Sequence, residues 1–186
     1  NFTMGLDGKM YSRMLGGNLV RIDVENARGE NLTNGDLVGT KDGSAYGLVF
    51  DPQDENVFYF SNNDKHCIYK YDLRTKECAC WAGQEGKSGY LDGPIGQAMF
   101  NKPGQMCVDS EGNIILTDTE NHCIRKITMS TGYVSTLAGK PQNSGYVNGS
   151  AEDAQFKKPL GICIDNDDVM YIGDSENRAI RRLAVE

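Results

Sequence analysis

Three short segments of the sequence carry acidic and amide side chains close together, and their oxygens could hold a metal ion or act as acid and base groups. The segments repeat at an interval of 56 residues and contain Asn62 and Asp64, then Asp118, Glu120 and Asn121, then Asp174, Glu176 and Asn177. Equivalent residues of a repeat lie on separate units, so they do not converge on one ion. In tight loops, Asp and Asn usually bond the local backbone. We therefore expect structural turns here, with no metal, no other cofactor and no catalytic residue.

The two histidines and four of the six cysteines follow the same interval. His66 matches His122, whereas a zinc or catalytic site needs different side chains that meet at one point. We expect both histidines to anchor loops. The repeated cysteines are expected to be small buried strand residues, and all six to be free thiols. The repeated pairs are Cys67 with Cys123 and Cys107 with Cys163, while Cys78 and Cys80 stand outside them.

The same interval relates two near-copies, 81–103 and 137–159, which marks a chain built from one repeated supersecondary unit. Within them, the segments 83–100 and 139–156, called the spacers below, are longer than a usual connection between strands. Long ordered loops are often functional, and an exposed tyrosine can stack on a sugar or anchor a partner. The candidate ligand-binding residues are Trp81, Tyr90, Asp92, Tyr146 and Asn148.

A structural interpretation of the spacers stays open. In it, both tyrosines pack back on the repeat, and Trp81, which replaces Leu137 of the next unit, is a packing residue. The gap between units would be filled by Ala98, Phe100, Ala154 and Phe156. The loop tips at 84–88 and 140–144 differ between the copies, so they are the better places to look for specificity.

Each unit is expected to form four short strands, because runs of β-branched and aromatic residues alternate with turn residues. The predicted strands are 46–51, 56–62, 66–72 and 77–83, then 105–109, 113–118, 122–128 and 133–139, then 161–165, 169–174 and 178–184. A weaker copy predicts strands at 2–7, 9–13 and 18–23, with a fourth around 31–39. Third strands alternate apolar and charged residues, which predicts one buried and one wet face. The basic run 178–182 is assigned to the wet face.

The bulk composition excludes two classes of partner. The net charge is −7, and a nucleic-acid partner would require clustered Lys and Arg. No apolar run approaches the roughly 20 residues of a membrane-spanning helix. Twenty-two glycines and nine tyrosines, with few helical apolar stripes, favour an all-β chain with many turns.

Two of the units resemble NHL repeats over about 45–186. The residues that carry the resemblance are Pro159, Gly161, Ile162 and Asp165; Gly112 and Asn113; Asp118, Asn121, Ile124 and Arg125; and Asp174, Asn177, Ile180 and Arg181. The unit at 45–102 departs from this pattern, with Asn62 in place of Asp and Lys65 in place of Asn.

The resemblance implies a β-propeller with about four four-stranded blades, near 1–44, 45–102, 103–158 and 159–186. The last blade would lack its outer strand, since the chain stops after a third strand. A ring of six blades is usual for the family, so we expect the C-terminal part of a six-bladed propeller, with the remaining blades in a longer parent chain.

The resemblance also implies a function. The spacers are similar to those of secreted or surface proteins of gut Bacteroidetes that join an IPT/TIG domain to an NHL propeller. We expect a non-catalytic binding scaffold for a polysaccharide or other nutrient, bound on the loop-rich face, at the cell surface, outside the cell or in the periplasm. One alternative is a protein-interaction module. Another is a lactonase-like hydrolase or lyase whose site lies in other blades.

Overall fold

The computed structural model describes residues 2–5, 7–14, 18–33 and 46–184, and the fold is all-β. In blade 1, four antiparallel strands pair in chain order: β1 (Phe2–Met4), β2 (Met10–Arg13), β3 (Leu19–Asp23) and β4 (Arg28–Asn31). Blade 2 has the same order, with β5 (Leu48–Asp51), β6 (Asp54–Asn62), β7 (Cys67–Asp72) and β8 (Cys78–Gly83).

Blade 3 adds a short fifth strand from the spacer. Its main strands are β10 (Pro103–Val108), β11 (Ile114–Asp118), β12 (Cys123–Thr128) and β13 (Tyr133–Ala138), and β9 (Gly93–Pro94) pairs with β13. Blade 4 consists of β14 (Pro159–Ile164), β15 (Met170–Asp174) and β16 (Ala179–Leu183) among the described residues. One-turn 3₁₀ helices at Thr119–Asn121 and Ser175–Asn177 link the second and third strands of blades 3 and 4.

The first strand of each blade faces the first strands of its neighbours. Strand β10 contacts both β5 and β14, and β1 contacts β5. Four meandering sheets arranged around their inner strands form a β-propeller, which confirms the predicted fold class. No helix in the described part of the chain is both long and apolar enough to cross a membrane. The blade limits near 1–44, 45–102, 103–158 and 159–186 remain a proposal.

The core lies between the blades, and the spacers supply part of it. Ala98 and Phe100 are fully buried in a cluster that joins blade 2 to blade 3. Ala154 and Phe156 occupy the equivalent place between blades 3 and 4. The prediction that these residues fill the gap between units is therefore confirmed.

Two local predictions are wrong. The fourth strand of blade 1 is Arg28–Asn31 rather than 31–39, because a tight turn at 24–27 folds the chain back early. In that turn Asp23 accepts the backbone N–H of Asn26, and Ala27 is left-handed at φ 51°. Residues 34–39 of the predicted strand lie outside the described residues. Cys163 is exposed and Cys107 is only half-buried, whereas Cys67 and Cys123 are buried as expected, and all six cysteines are free.

Candidate functional site

The turns between second and third strands place one buried carboxylate in each of blades 3 and 4. Asp118 ends β11 with no exposed surface, and its carboxylate accepts the Asn101 backbone N–H at 2.8 Å and the Asn121 side-chain amide at 2.8 Å. The 3₁₀ turn ends at His122, whose left-handed φ of 59° starts the next strand. Asp174 accepts the Lys157 N–H and the Asn177 amide in the same way. The predicted structural role of these residues is confirmed, but the backbone groups that the two carboxylates bond lie 17 residues earlier in the chain rather than in the local turn.

The guanidinium of Arg125 occupies the space between Asp118 and the spacer. It donates to Asp118 Oδ2 at 2.7 Å and to the backbone oxygen of Met99 at 3.1 Å. Its second terminal nitrogen donates to the backbone oxygen of Leu91 at 2.9 Å and to Asp92 Oδ1 at 2.6 Å. One arginine therefore ties the spacer to the third strand of blade 3.

Aromatic rings flank the same guanidinium. Its carbon lies 4.9 Å from the centre of the Tyr90 ring and 5.1 Å from that of Phe100, both within the range of a cation–π contact. The Tyr90 hydroxyl shares a hydrogen bond of 2.7 Å with that of Thr136 on β13. We call the set Tyr90, Leu91, Asp92, Met99, Phe100, Asp118 and Arg125 the first knot.

A second knot repeats this arrangement 56 residues later around Arg181. Arg181 donates to Asp174 at 2.9 Å and to the Gln155 backbone oxygen at 3.0 Å. It also donates to the Val147 backbone oxygen and to Asn148 Oδ1, each at 2.7 Å. The rings of Tyr146 and Phe156 each lie 5.0 Å from its guanidinium carbon. The second knot consists of Tyr146, Val147, Asn148, Gln155, Phe156, Asp174 and Arg181.

Burial sets the electrostatics of the first knot. A carboxylate with no exposed surface loses its hydration, and this raises the pKa of Asp118. The charge of Arg125 opposes part of the shift, so that the pKa of Asp118 is raised to about 6. The carboxyl group is therefore ionised at neutral pH and pairs with Arg125. Removal of Arg125 would leave the buried Asp118 without its counter-ion, and removal of Asp118 would leave Arg125 with Asp92 alone.

The histidines fix the junction between each spacer and the next blade. His66 Nδ1 accepts the backbone N–H of Lys102 at 3.0 Å, and His122 Nδ1 accepts that of Lys158 at 3.2 Å. Both lysines are left-handed, with φ of 55° and 49°. The predicted loop-anchoring role of the histidines is confirmed.

Apart from the knots, the first strands of the four blades line a groove of about 620 Å³. Its walls are mainly apolar and include Leu48, Met106 and Ile162, with Cys107 and Cys163 at neighbouring positions. Ligand sites usually add a few placed polar groups to such walls. The groove offers only Thr3 and Gln105 as uncharged polar side chains among the described lining residues.

The repeated turn matches a known family. A model of the NHL repeat matches residues 100–127, a stretch that contains β11, the Asp118 turn and Arg125. The chain is an NHL-type β-propeller. The NHL repeat-containing protein 2 of Gallus gallus is 30% identical over 152 residues, which are 81% of this chain and 19% of that protein.

Two solved structures share the propeller fold. An auxiliary nutrient binding protein from Bacteroides thetaiotaomicron is 29% identical, with a TM-score of 0.74 over 96% of this chain and 46% of that one. The virginiamycin B lyase of Staphylococcus aureus is 15% identical, with a TM-score of 0.56 over 99% of this chain and 54% of that one, a likeness that shows the fold alone. The NHL propeller described here thus spans about half of each structure and under a fifth of the curated relative.

The candidate ligand-binding residues fall in three places. Tyr90 and Asp92 belong to the first knot, and Tyr146 and Asn148 belong to the second. Trp81 is half-buried on β8, with its ring 4.3 Å from that of Tyr59. In each knot, the tyrosine and the Asp or Asn two residues after it contact the same arginine. Trp81 belongs to neither knot.

The assignment of the whole basic run 178–182 to a wet face is wrong. Arg181 is 8% exposed, whereas Arg178 and Arg182 on either side of it are exposed. The alternation of the strand turns Arg181 inward, where Asp174 balances its charge. The repetition of the arginine at 125 and 181 was the available signal, because a solvated charge has no need to recur at one repeat position.

Proposed function

We propose that this NHL propeller is a non-catalytic binding scaffold for a nutrient such as a glycan, which it contacts through the outer surface of its spacers. The likeness to the B. thetaiotaomicron nutrient binding protein over nearly the whole chain supports this class of function. A setting at the cell surface or in the periplasm belongs to the same proposal.

The exposed ring of Tyr146 is the observation that carries the proposed site. This side chain is 62% exposed, and Arg181 contacts its ring at 5.0 Å. A tyrosine held by a buried arginine has little conformational freedom left to lose on binding. Its free surface can stack on the apolar face of a sugar ring.

Neighbouring groups extend this surface. Val147 and Leu91, the equivalent residues next to the two tyrosines, are each exposed by more than two-fifths. The tips at 84–88 and 140–144 differ between the copies and supply the polar groups that would set specificity. In this proposal Tyr146 and Asn148 contact the ligand first, and Trp81, Tyr90 and Asp92 support the surface around them.

Calorimetric titration of the chain against a panel of polysaccharides and their oligosaccharides tests the proposal. We expect binding to at least one class and a loss of at least tenfold in affinity for Tyr146→Ala. Tyr133→Ala is the matched control, because Tyr133 is also exposed but begins β13, at the opposite end of the blade from the 3₁₀ turns.

Three results would contradict the proposal. A blank across the panel would remove the glycan class. Equal affinity in Tyr146→Ala and the native chain would move the site away from the spacers. Capture of a protein ligand with no saccharide binding would favour the interaction-module alternative.

A further inference from the structure

We propose that Asn148 is a site of spontaneous deamidation, which converts it to the aspartate that the first knot already carries at Asp92. Asn148 and Asp92 are equivalent residues, and each accepts a hydrogen bond from the knot arginine, at 2.7 and 2.6 Å. The two knots thus differ by one side-chain amide at this position. The inference does not depend on the identity of any ligand.

The sequence at this point has the chemistry that deamidation requires. Asn148 is followed by Gly149, and both are exposed. Glycine has no Cβ, so its backbone nitrogen can approach the side chain before it with little steric hindrance. Among the described residues, no hydrogen bond holds the N–H of Gly149 or the side-chain nitrogen of Asn148.

The equivalent glycine of the first copy is restrained. Gly93 lies in β9 and pairs with Val134 of β13. Gly149 lies in no strand and follows only the isolated bridge between Val147 and Gln155. The described residues of blade 4 end with its third strand, β16, and none of them pairs with Gly149.

Arg181 is placed to assist the reaction. Arginine only donates hydrogen bonds, so the side-chain oxygen of Asn148 faces the guanidinium and the leaving nitrogen faces away from it. During attack on the amide carbon, negative charge develops on this oxygen. A fixed cationic donor at 2.7 Å stabilises that charge as an oxyanion hole does.

Only water is needed as a second reactant. The backbone nitrogen of Gly149 bonds to Cγ of Asn148 and gives up its proton to solvent, and the Cγ–Nδ2 bond breaks as ammonia leaves. The resulting succinimide adds water at one of its two carbonyl carbons and opens to aspartate or isoaspartate. Asparagine and water thus become an acidic residue and ammonia.

The aspartate product would complete a second ion-paired knot. Its carboxylate would stand beside Arg181, as Asp92 stands beside Arg125. A charged acceptor forms a stronger hydrogen bond with a guanidinium than a neutral amide oxygen does. The aspartate product would therefore fasten the spacer more firmly than the asparagine does, unlike an aspartate formed at a site without a nearby cation.

Peptide mapping by mass spectrometry tests the site. The folded chain and a synthetic peptide of residues 144–152 are incubated together at neutral pH and physiological temperature. We expect Asn148 in the folded chain to convert at least as fast as in the peptide. Retention of Asn148 in the folded chain while the peptide converts would overturn the proposal.

Two variants separate the chemistry from the fold. Arg181→Lys keeps a positive charge but loses the fork of donors, so conversion should slow by several-fold while circular dichroism shows native strands. Asn148→Asp should raise the midpoint of chemical denaturation above that of the native chain, with Asn148→Gln as the control that keeps an amide. An unchanged conversion rate in the first variant, or a lower midpoint in Asn148→Asp, would contradict the role assigned to Arg181.

Discussion

The two knots are copies of one arrangement in different surroundings. Arg125 is completely buried and pairs with two carboxylates, those of Asp118 and Asp92. Arg181 retains a small exposed fraction and pairs with one carboxylate and one amide. Strand β13 covers Tyr90 through Thr136, whereas the described part of blade 4 ends with its third strand and none of it covers Tyr146, which is mostly exposed. Arg125, the more deeply buried arginine, has two carboxylate partners, whereas Arg181 has one. The second carboxylate helps to offset the larger cost of removing the Arg125 charge from water.

Blade 2 shows a third solution at the same repeat position. Asn62 and Tyr69 stand where the first knot has Asp118 and Arg125, and both are buried. The oxygen of Asn62 still accepts the N–H of Lys65 and closes the turn. Both charges of the pair are thus missing together. Replacement of a whole buried pair is tolerated far better than loss of one partner.

The largest expected effect is that of Arg125→Ala. This change leaves Asp118 buried without its cation and opens a space next to Phe100, so we expect a loss of about 3–5 kcal/mol in the free energy of unfolding. Urea denaturation measures it. Arg182→Ala is the control, because that side chain is exposed on the equivalent strand of blade 4. A loss below about 1 kcal/mol for Arg125→Ala would show that the knot does not fasten the blade.

Arg181→Ala should cost less, about 3 kcal/mol. Asp174 would lose its counter-ion, but Asn148 carries no charge that needs balance, and water reaches this knot more easily. The same denaturation experiment gives the comparison. Equal losses for Arg181→Ala and Arg125→Ala would show that the charge of the partners and the depth of burial do not determine how much each arginine stabilises the fold.

Asp92→Asn converts the first knot into the chemical form of the second. The hydrogen bond to Arg125 remains but its acceptor loses its charge, so we expect a loss of about 1 kcal/mol. The effect should shrink in high salt, since the Asp92 side chain is about one-third exposed. Salt-independent destabilisation would point to packing instead of charge.

Tyr90→Phe should have the smallest effect, about 0.5–1 kcal/mol. It removes the hydroxyl that bonds Thr136 and keeps the ring that contacts Arg125. Tyr146→Phe is the matched change, and it should be nearly neutral because no described residue bonds the Tyr146 hydroxyl. Equal losses of stability in Tyr90→Phe and Tyr146→Phe would contradict the difference between a tyrosine bonded by β13 and one whose hydroxyl no described residue bonds.

Repetition made the fold predictable, while the knots needed the structure. The interval of 56 residues and the alternating strands predicted the blades, the buried Phe100 and Phe156 and the anchoring histidines. The inward turn of Arg181 was missed because the pattern of a strand shows that alternate residues face opposite sides but not which side is wet. The contacts between the guanidinium and the backbone oxygens of the spacer could not be predicted, because they depend on how the spacer folds. No short sequence pattern specifies that fold.

A double-mutant cycle on Asp118 and Arg125 tests the central claim that a buried ion pair fastens each spacer to its blade. The variants are Asp118→Asn, Arg125→Tyr and the two together, which reproduces the residues of blade 2 at these positions. We predict that the double variant loses less free energy of unfolding than the two single variants lose in sum, by about 2–3 kcal/mol. Additive losses would contradict the account.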